Sequence, residues 1–174
     1  LNMNVFDKSM SRLLPIEGGY SNDPNDPGNW TGGAKGSGKL LGTKYGIAAN
    51  TYGNLDIKNL TWEQAKAIYK RDFWDSVHAD SLPAAVAYNA LDGAINSGAS
   101  RSIQWLQKAA GVADDGRWGP VTMAAIKKCD PNDVLLRYNA YRLDYLTRLS
   151  TWSIYGKGWS RRIAHNLIAG SEDN

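Results

Sequence analysis

From Asn22 to Gly28 the chain reads Asn-Asp-Pro-Asn-Asp-Pro-Gly, an unbroken run of turn-forming residues, and no other stretch restricts the fold as much. Pro fixes φ and removes amide donors, Asn and Asp bond their own backbone, and Gly adopts conformations other residues resist, so neither helix nor strand can run through it. Just before it, Phe6, Met10, Leu13 and Leu14 recur at the spacing of one helix face. Just after it, strand signals are confined to the region between Asn29 and Ala49, and every later segment reads as helix. The predicted class is mainly α, with a small β-hairpin or loop region after the first helix and a helical C-terminal half.

The later helices are read from caps and periodicity. Thr61 and Gln64 make a capping box ahead of Ala65, Ile68 and Tyr69. Ala87, Ala90, Leu91, Ala94 and Ile95 form one apolar face between Pro83 and Gly98, which predicts a helix central to the core. Tyr88, Asp92 and Asn96 lie four apart on another stripe; Asp92 and Asn96 either face a cleft or bond neighbouring backbone. Ser100 is expected to cap a helix carrying Ile103, Leu106 and Ala110 that stops near Gly111. Pro120 starts a helix with Val121, Ala124 and Ala125, and Asp130 with Pro131 starts a longer one. Its predicted apolar stripe is Val134, Leu135, Tyr138, Tyr141, Tyr145 and Leu149, and a last helix carries Trp159, Ile163 and Leu167 up to Gly170. The organisation read from this is a region of residues 1–97 and a helical region of residues 98–174, packed as one unit.

Glu17 stands three and four residues beyond Leu14 and Leu13, so a continuing helix would place it on their face and strip part of its hydration. Burial disfavours the charged carboxylate, and the negative end of a helix dipole pushes the same way, with Gly18 and Gly19 as natural stop residues. Pro15 opposes this by ending or kinking the helix early. The alternatives at Glu17 are a protonated general acid and a helix-terminal side chain that reaches water. Asp23 and Asp26 in the turn run put a second carboxylate near the first, and glycoside hydrolysis uses such a pair.

Glu17, Gly18, Gly19 and Tyr20, then Ser21 to Gly28, then Gly42, Thr43, Lys44, Tyr45, Gly46 and Ile47, and Asn54, Leu55 and Asp56, resemble glycoside hydrolase family 108. The resemblance implies a lysozyme-like N-acetylmuramidase, found as phage endolysins and bacterial counterparts, with Glu17 of the Glu-Gly-Gly-Tyr motif as catalytic acid. It implies Asp26 as second carboxylate, with Asp23 as its rival, and Thr43 as partner of the attacking water. The chain departs from many relatives by the Gly- and Lys-rich segment Asn29 to Leu41 ahead of Thr43. That segment reads as a flexible hairpin or lid, with Trp30 either a platform for a sugar ring or an anchor of the loop. Asp115, Gly116, Trp118, Gly119, Pro120 and Thr122 are similar to the peptidoglycan-binding region that commonly follows in this family. Tyr20, Asp23, Trp30, Tyr45, Asn96 and Trp118 are the candidate substrate contacts.

Composition excludes other classes. At 174 residues and 43% hydrophobic the chain can bury a core without metal or disulfide, and a lone Cys129 forms no internal bridge. His78 and His165 have no zinc spacing and no Ser/His/Asp order is evident, so neither a metalloamidase, a serine hydrolase nor any cofactor is expected. Residues 1–97 carry 9 Lys/Arg against 10 Asp/Glu, net −1, whereas residues 98–174 carry 11 against 7, net +4. The basic half suits an anionic wall polymer. Nucleic acid, suggested only by Arg161 and Arg162 after Trp159, is not expected. No stretch approaches the roughly 20 apolar residues of a membrane helix, so stable membrane insertion is not expected.

Polar residues at Asp7, Lys8, Ser9, Ser11 and Arg12 argue against a signal peptide. The expected course is synthesis in the bacterial cytoplasm and action on the wall in the periplasm. The resemblance implies a holin or similar release partner, and a monomer is expected. The expected reaction is lysis by cleavage of the β-1,4 bond between N-acetylmuramic acid and N-acetylglucosamine. A lytic transglycosylase on the same polymer and a non-catalytic wall-binding module are the competing readings.

Overall fold

The computed structural model describes residues 3–13 and 19–173; Glu17, with Leu14 to Gly18 around it, lies outside them. The chain divides into two compact units, Asp7–Lys70 and the remainder, Leu1–Phe6 with Arg71–Asn174. Among the described residues it is mainly helical, a lysozyme-like fold with one two-stranded antiparallel sheet. No described helix is long and apolar enough to cross a membrane.

Helix α1 (Val5–Leu13) buries Ser9 and Met10. The turn run then holds a short 3-10 turn, Pro27–Asn29, capped by the Asp26 side chain. Strands β1 (Thr43–Lys44) and β2 (Ile47–Ala48) form a hairpin in which Thr43 pairs with Ala48 and Lys44 with Ile47. Its two-residue connection, Tyr45–Gly46, has φ of +51° and +77°. Positive φ at both positions is the type I′ geometry that matches strand twist. Tyr45 bears that strain because its carbonyl accepts the Tyr69 hydroxyl at 2.8 Å and its ring packs edge-on against Trp62 at 5.4 Å. Helix α2 (Trp62–Tyr69) starts at the expected capping box: Thr61 Oγ1 accepts from Gln64 N at 3.1 Å, and Gln64 Oε1 accepts from Thr61 N at 2.9 Å.

A π-helical segment, Lys70–Trp74, leads into the second unit. There α3 (Ala84–Ser97) is the central helix, with Ala85 to Ala94 all buried and with α4 (Ala99–Ala110), α6 (Pro131–Thr147) and α7 (Trp152–Glu172) packed around it. The helix buries Asn89 and Asp92 along with its apolar residues. The structural division falls between Lys70 and Arg71, whereas the sequence pattern places a boundary at 97/98. At Gly93 an added Cβ would lie 2.0 Å from the Tyr138 hydroxyl, so the glycine is what lets α3 and α6 approach. That hydroxyl shares a 2.8 Å hydrogen bond with Ser102. Burial pushes the Tyr138 phenol up to about 12, so it stays protonated.

Two local expectations are corrected. Helix α4 begins at Ala99 with Gly98 in the cap position, so Ser100 lies inside it and caps nothing. Helix α5 (Pro120–Lys128) starts at Pro120 and carries Val121, Ala124 and Ala125 as expected; the residues it buries are Thr122 and Ile126. Helix α6, capped by Asp130 as expected, turns Val134, Leu135, Tyr138, Asn139, Arg142 and Leu146 inward and leaves Tyr141 exposed. Of the expected stripe only Tyr141 is exposed, and Arg142 joins the buried face beside Tyr138.

Candidate active site

The turn run and the hairpin are joined through one side chain, Asn29, which is fully buried. Its Nδ2 donates to the Asp23 carbonyl at 3.0 Å, and its Oδ1 accepts the Thr43 hydroxyl at 2.6 Å. Since the amide nitrogen must face a carbonyl, the orientation is fixed, and the Thr43 proton has to point at Asn29. Thr43 Oγ1 is left to act as an acceptor, the state in which it can take a hydrogen from water. The Asn29 backbone adds to the junction: its N–H donates to Asp26 O at 3.1 Å, and its carbonyl accepts from Leu41 and Gly42, each at 3.0 Å. The isolated pairing of Ser21 with Thr43 closes the same ring of backbone, with N–H···O distances of 2.9 and 2.8 Å.

Both candidate aspartates sit at the exposed surface of this scaffold. Asp26 Oδ1 accepts from Gly28 N at 2.8 Å, and Asp23 Oδ1 accepts from Asn25 N at 2.9 Å. In each, Oδ2 has no hydrogen-bond partner among the described residues, which leaves one carboxylate oxygen directed to solvent. Tyr20 is held by its hydroxyl on the Leu41 carbonyl at 3.0 Å. Its ring passes so near Gly42 that a Cβ there would meet Tyr20 Cε2 and the Ser21 carbonyl at 2.5 Å, and Gly42 has φ +86°. Only glycine satisfies both conditions.

The segment from Asn29 to Leu41 is a hydrogen-bonded hairpin. Trp30 pairs with Leu40, Thr31 N donates to Lys39 O at 2.9 Å, and Gly32 N donates to Ser37 O at 3.0 Å. Lys35 Nζ ties its tip to Asn25 Oδ1 at 2.8 Å. Trp30 is half-buried, and its indole N–H donates to the Pro24 carbonyl at 2.9 Å, which anchors the ring while leaving part of it open.

The unit Asp7–Lys70 therefore gathers Tyr20, Asp23, Asp26, Trp30, Thr43 and Tyr45 on one bonded scaffold. Asn96 and Trp118 belong to the other unit. Trp118 stacks on the His78 ring at 5.0 Å and 8°, and Asn96 donates to the Asp92 carbonyl at 2.9 Å. Asp92 itself is an interior anchor. Its carboxylate takes Arg142 Nη1 at 2.8 Å, Arg162 Nε at 2.8 and 3.0 Å, Arg162 Nη2 at 2.5 Å and Asn166 Nδ2 at 2.7 Å. Burial works to raise the Asp92 carboxyl, but hydrogen bonds from Arg162 and the two guanidinium charges outweigh it and hold it below the usual carboxylate range.

The later motif has a local structural explanation. Gln107, buried in α4, donates to Asp115 Oδ1 and the Arg117 carbonyl, each at 2.9 Å, and to Thr122 Oγ1 at 3.0 Å, and accepts from Gly116 N at 2.9 Å. Asp115, Gly116 and Thr122 thus dock a loop on a helix. Sequence reasoning overlooked Asn29, whose only signal was its place at the end of the turn run, and the arginines of Asp92, which lie 50 and 70 residues away. Among the described residues no group of three or more His, Cys, Asp or Glu could hold a metal ion.

Comparison with known proteins places this scaffold. The family model described as Glycosyl hydrolase 108 matches residues 10–98. A solved structure, that of Brucella abortus SagA, is 33% identical and superposes with a TM-score of 0.78, covering 97% of this chain and 94% of that one. No functionally curated protein matches. The matched segment contains the turn run, the Asn29 junction and the hairpin, and the chain belongs to glycosyl hydrolase family 108 as a glycosidase.

Proposed function

We propose that this glycosidase is an endolysin-type peptidoglycan hydrolase that cuts the β-1,4 bond between N-acetylmuramic acid and N-acetylglucosamine. Glu17 delivers the proton to the glycosidic oxygen. Asp26, or Asp23 in its place, stabilises the positive sugar through its solvent-directed oxygen, and Thr43 accepts a hydrogen from the attacking water. Tyr20, Asp23, Trp30 and Tyr45 are the proposed sugar contacts of the unit Asp7–Lys70; Asn96 and Trp118 are separate proposed contacts of the other unit, and residues 98–174 are the proposed wall-binding region. The single observation that carries this reading is the Asn29 junction: one buried amide fixes both the aspartate turn, which begins three residues after Glu17-Gly-Gly, and the Thr43 hydroxyl. Membership of family 108 supports peptidoglycan as the substrate.

The test is Glu17→Gln, assayed by clearing of outer-membrane-stripped bacteria and by release of reducing ends from purified peptidoglycan. Activity is expected to fall roughly 10²–10⁴-fold, the usual worth of a general acid, with an unchanged circular dichroism spectrum. Near-normal lysis by that variant overturns the assignment. Mass analysis of the wild-type products should give hydrated ends. Anhydro ends would reassign the reaction to transglycosylation, and binding without reducing ends would leave a wall-binding module.

A further inference from the structure

A groove of about 190 Å³ lies between α4 and α6, away from the aspartate turn in sequence and in the other compact unit. Three cations line it, Arg101 and Lys108 of α4 and Arg148 at the C-cap of α6, with two carboxylates, Asp114 and Asp144. Both carboxylates are taken: Arg148 pairs with Asp144, and Lys108 faces Asp114 at 3.8 Å. Arg101 has no carboxylate partner among the described residues. It is nonetheless held in place, its guanidinium 4.4 Å over the Tyr145 ring and Nη1 3.3 Å from Gln104 Oε1.

A stacked guanidinium keeps its plane fixed and presents the remaining N–H groups as a fork, which matches a carboxylate bidentately. Trp105, buried behind Tyr145 at 5.7 Å, gives the groove an apolar floor. The volume is below the 300–1,000 Å³ of typical ligand pockets, so it admits one ring or one short side group. Two carboxylates on the rim disfavour an extended polyphosphate.

We infer that this groove receives a carboxylate of the wall polymer, with Arg101 as the receiving group. The inference rests on the peptidoglycan reading for its ligand. Two carboxylates of that polymer fit the chemistry: the lactyl carboxyl of N-acetylmuramic acid and a free carboxyl of the stem peptide.

The experiment titrates the ¹⁵N-labelled full chain with N-acetylmuramic acid, with diacetyl-Lys-D-Ala-D-Ala, and with neutral N-acetylglucosamine. None of these contains a glycosidic bond to cut, so binding is read apart from turnover. One of the two carboxylates should shift the Arg101 Nε–H and Trp105 indole resonances saturably, and less so as salt rises. Which one does so identifies the source. Arg101→Lys keeps the charge but loses the fork and should bind roughly tenfold more weakly, a difference of about 1.4 kcal/mol. Arg101→Gln should abolish the shift. Absence of a shift with both carboxylates, an equal shift with N-acetylglucosamine, or wild-type binding by Arg101→Gln overturns the inference. Release of reducing ends without carboxylate binding would fault the groove alone. Carboxylate binding without reducing ends would fault the hydrolase reading alone.

Discussion

Replacing Asp92 with Asn should unsettle the helical unit more than any surface change, because it leaves Arg142 charged, about 2% exposed and without a carboxylate. Breaking a buried pair from one side costs about 3–5 kcal/mol. Most of this comes from Arg142, since Arg162 is 40% exposed and solvent screens its share. For a chain of this size 1 kcal/mol moves the midpoint by about 2–4 °C, so a thermal melt of Asp92→Asn at pH 7 should fall by roughly 10 °C. The double variant Asp92→Leu with Arg142→Met removes both interior charges. It should recover most of that loss, short of about 1–3 kcal/mol for the orphaned Asn166 amide. The folded-state carboxyl lies below its unfolded value, so its stabilisation is complete above the unfolded pKa and is lost as pH falls through the folded one. The gap between wild type and Asp92→Asn should therefore stay constant from pH 8 to about 4 and narrow only below that. A single-variant loss under about 1 kcal/mol, or additive losses in the double variant, would refute the claim that the cluster is a coupled interior anchor.

Asn29→Ala removes the bond to Thr43 and the bond to the Asp23 carbonyl; a loss of about 1–3 kcal/mol and a clear drop in wall clearing are expected, measured by thermal melt and turbidity. Unaltered clearing would show that Thr43 needs no such anchor. Gly93→Ala puts a methyl group on the Tyr138 hydroxyl and should cost about 1–3 kcal/mol by melt, with partial rescue when Tyr138→Phe removes that oxygen. A neutral Gly93→Ala would mean the helices part freely there.

Where sequence and structure agree, the cause is local. The Thr61 and Gln64 box, the Asp130 cap with Pro131, and Gly111 closing α4 at φ +74° each depend on residues within a turn of one another. The aspartate turn run was legible for the same reason. Where they differ, the deciding partner is distant. Helix α6 reads as a tyrosine stripe because hydropathy counts Arg142 as a surface residue, yet Asp92, fifty positions earlier, draws it inward and turns Tyr141 out. Ser100 looks like a cap because Gly98 carries no side-chain signal, although the chain turns into α4 there at φ +88°.

The same contrast explains why Asn29 escaped notice. An Asn beside Pro and Gly is what any loop contains, and only the folded hairpin brings Thr43 to its oxygen. Loops that carry chemistry need a rigid support, and in this unit regular structure is scarce: two strands of two residues each and one short 3-10 turn flank the aspartates. A single buried amide with its donor and acceptor both committed does what a longer sheet would do elsewhere. It holds the aspartate turn against the hairpin at the cost of tolerating only Asn at that position. Asp offers no donor for the Asp23 carbonyl, and Gln is one methylene too long for a fully buried site. Both exchanges should therefore weaken the junction for opposite reasons, the first by electrostatic repulsion and the second by overpacking.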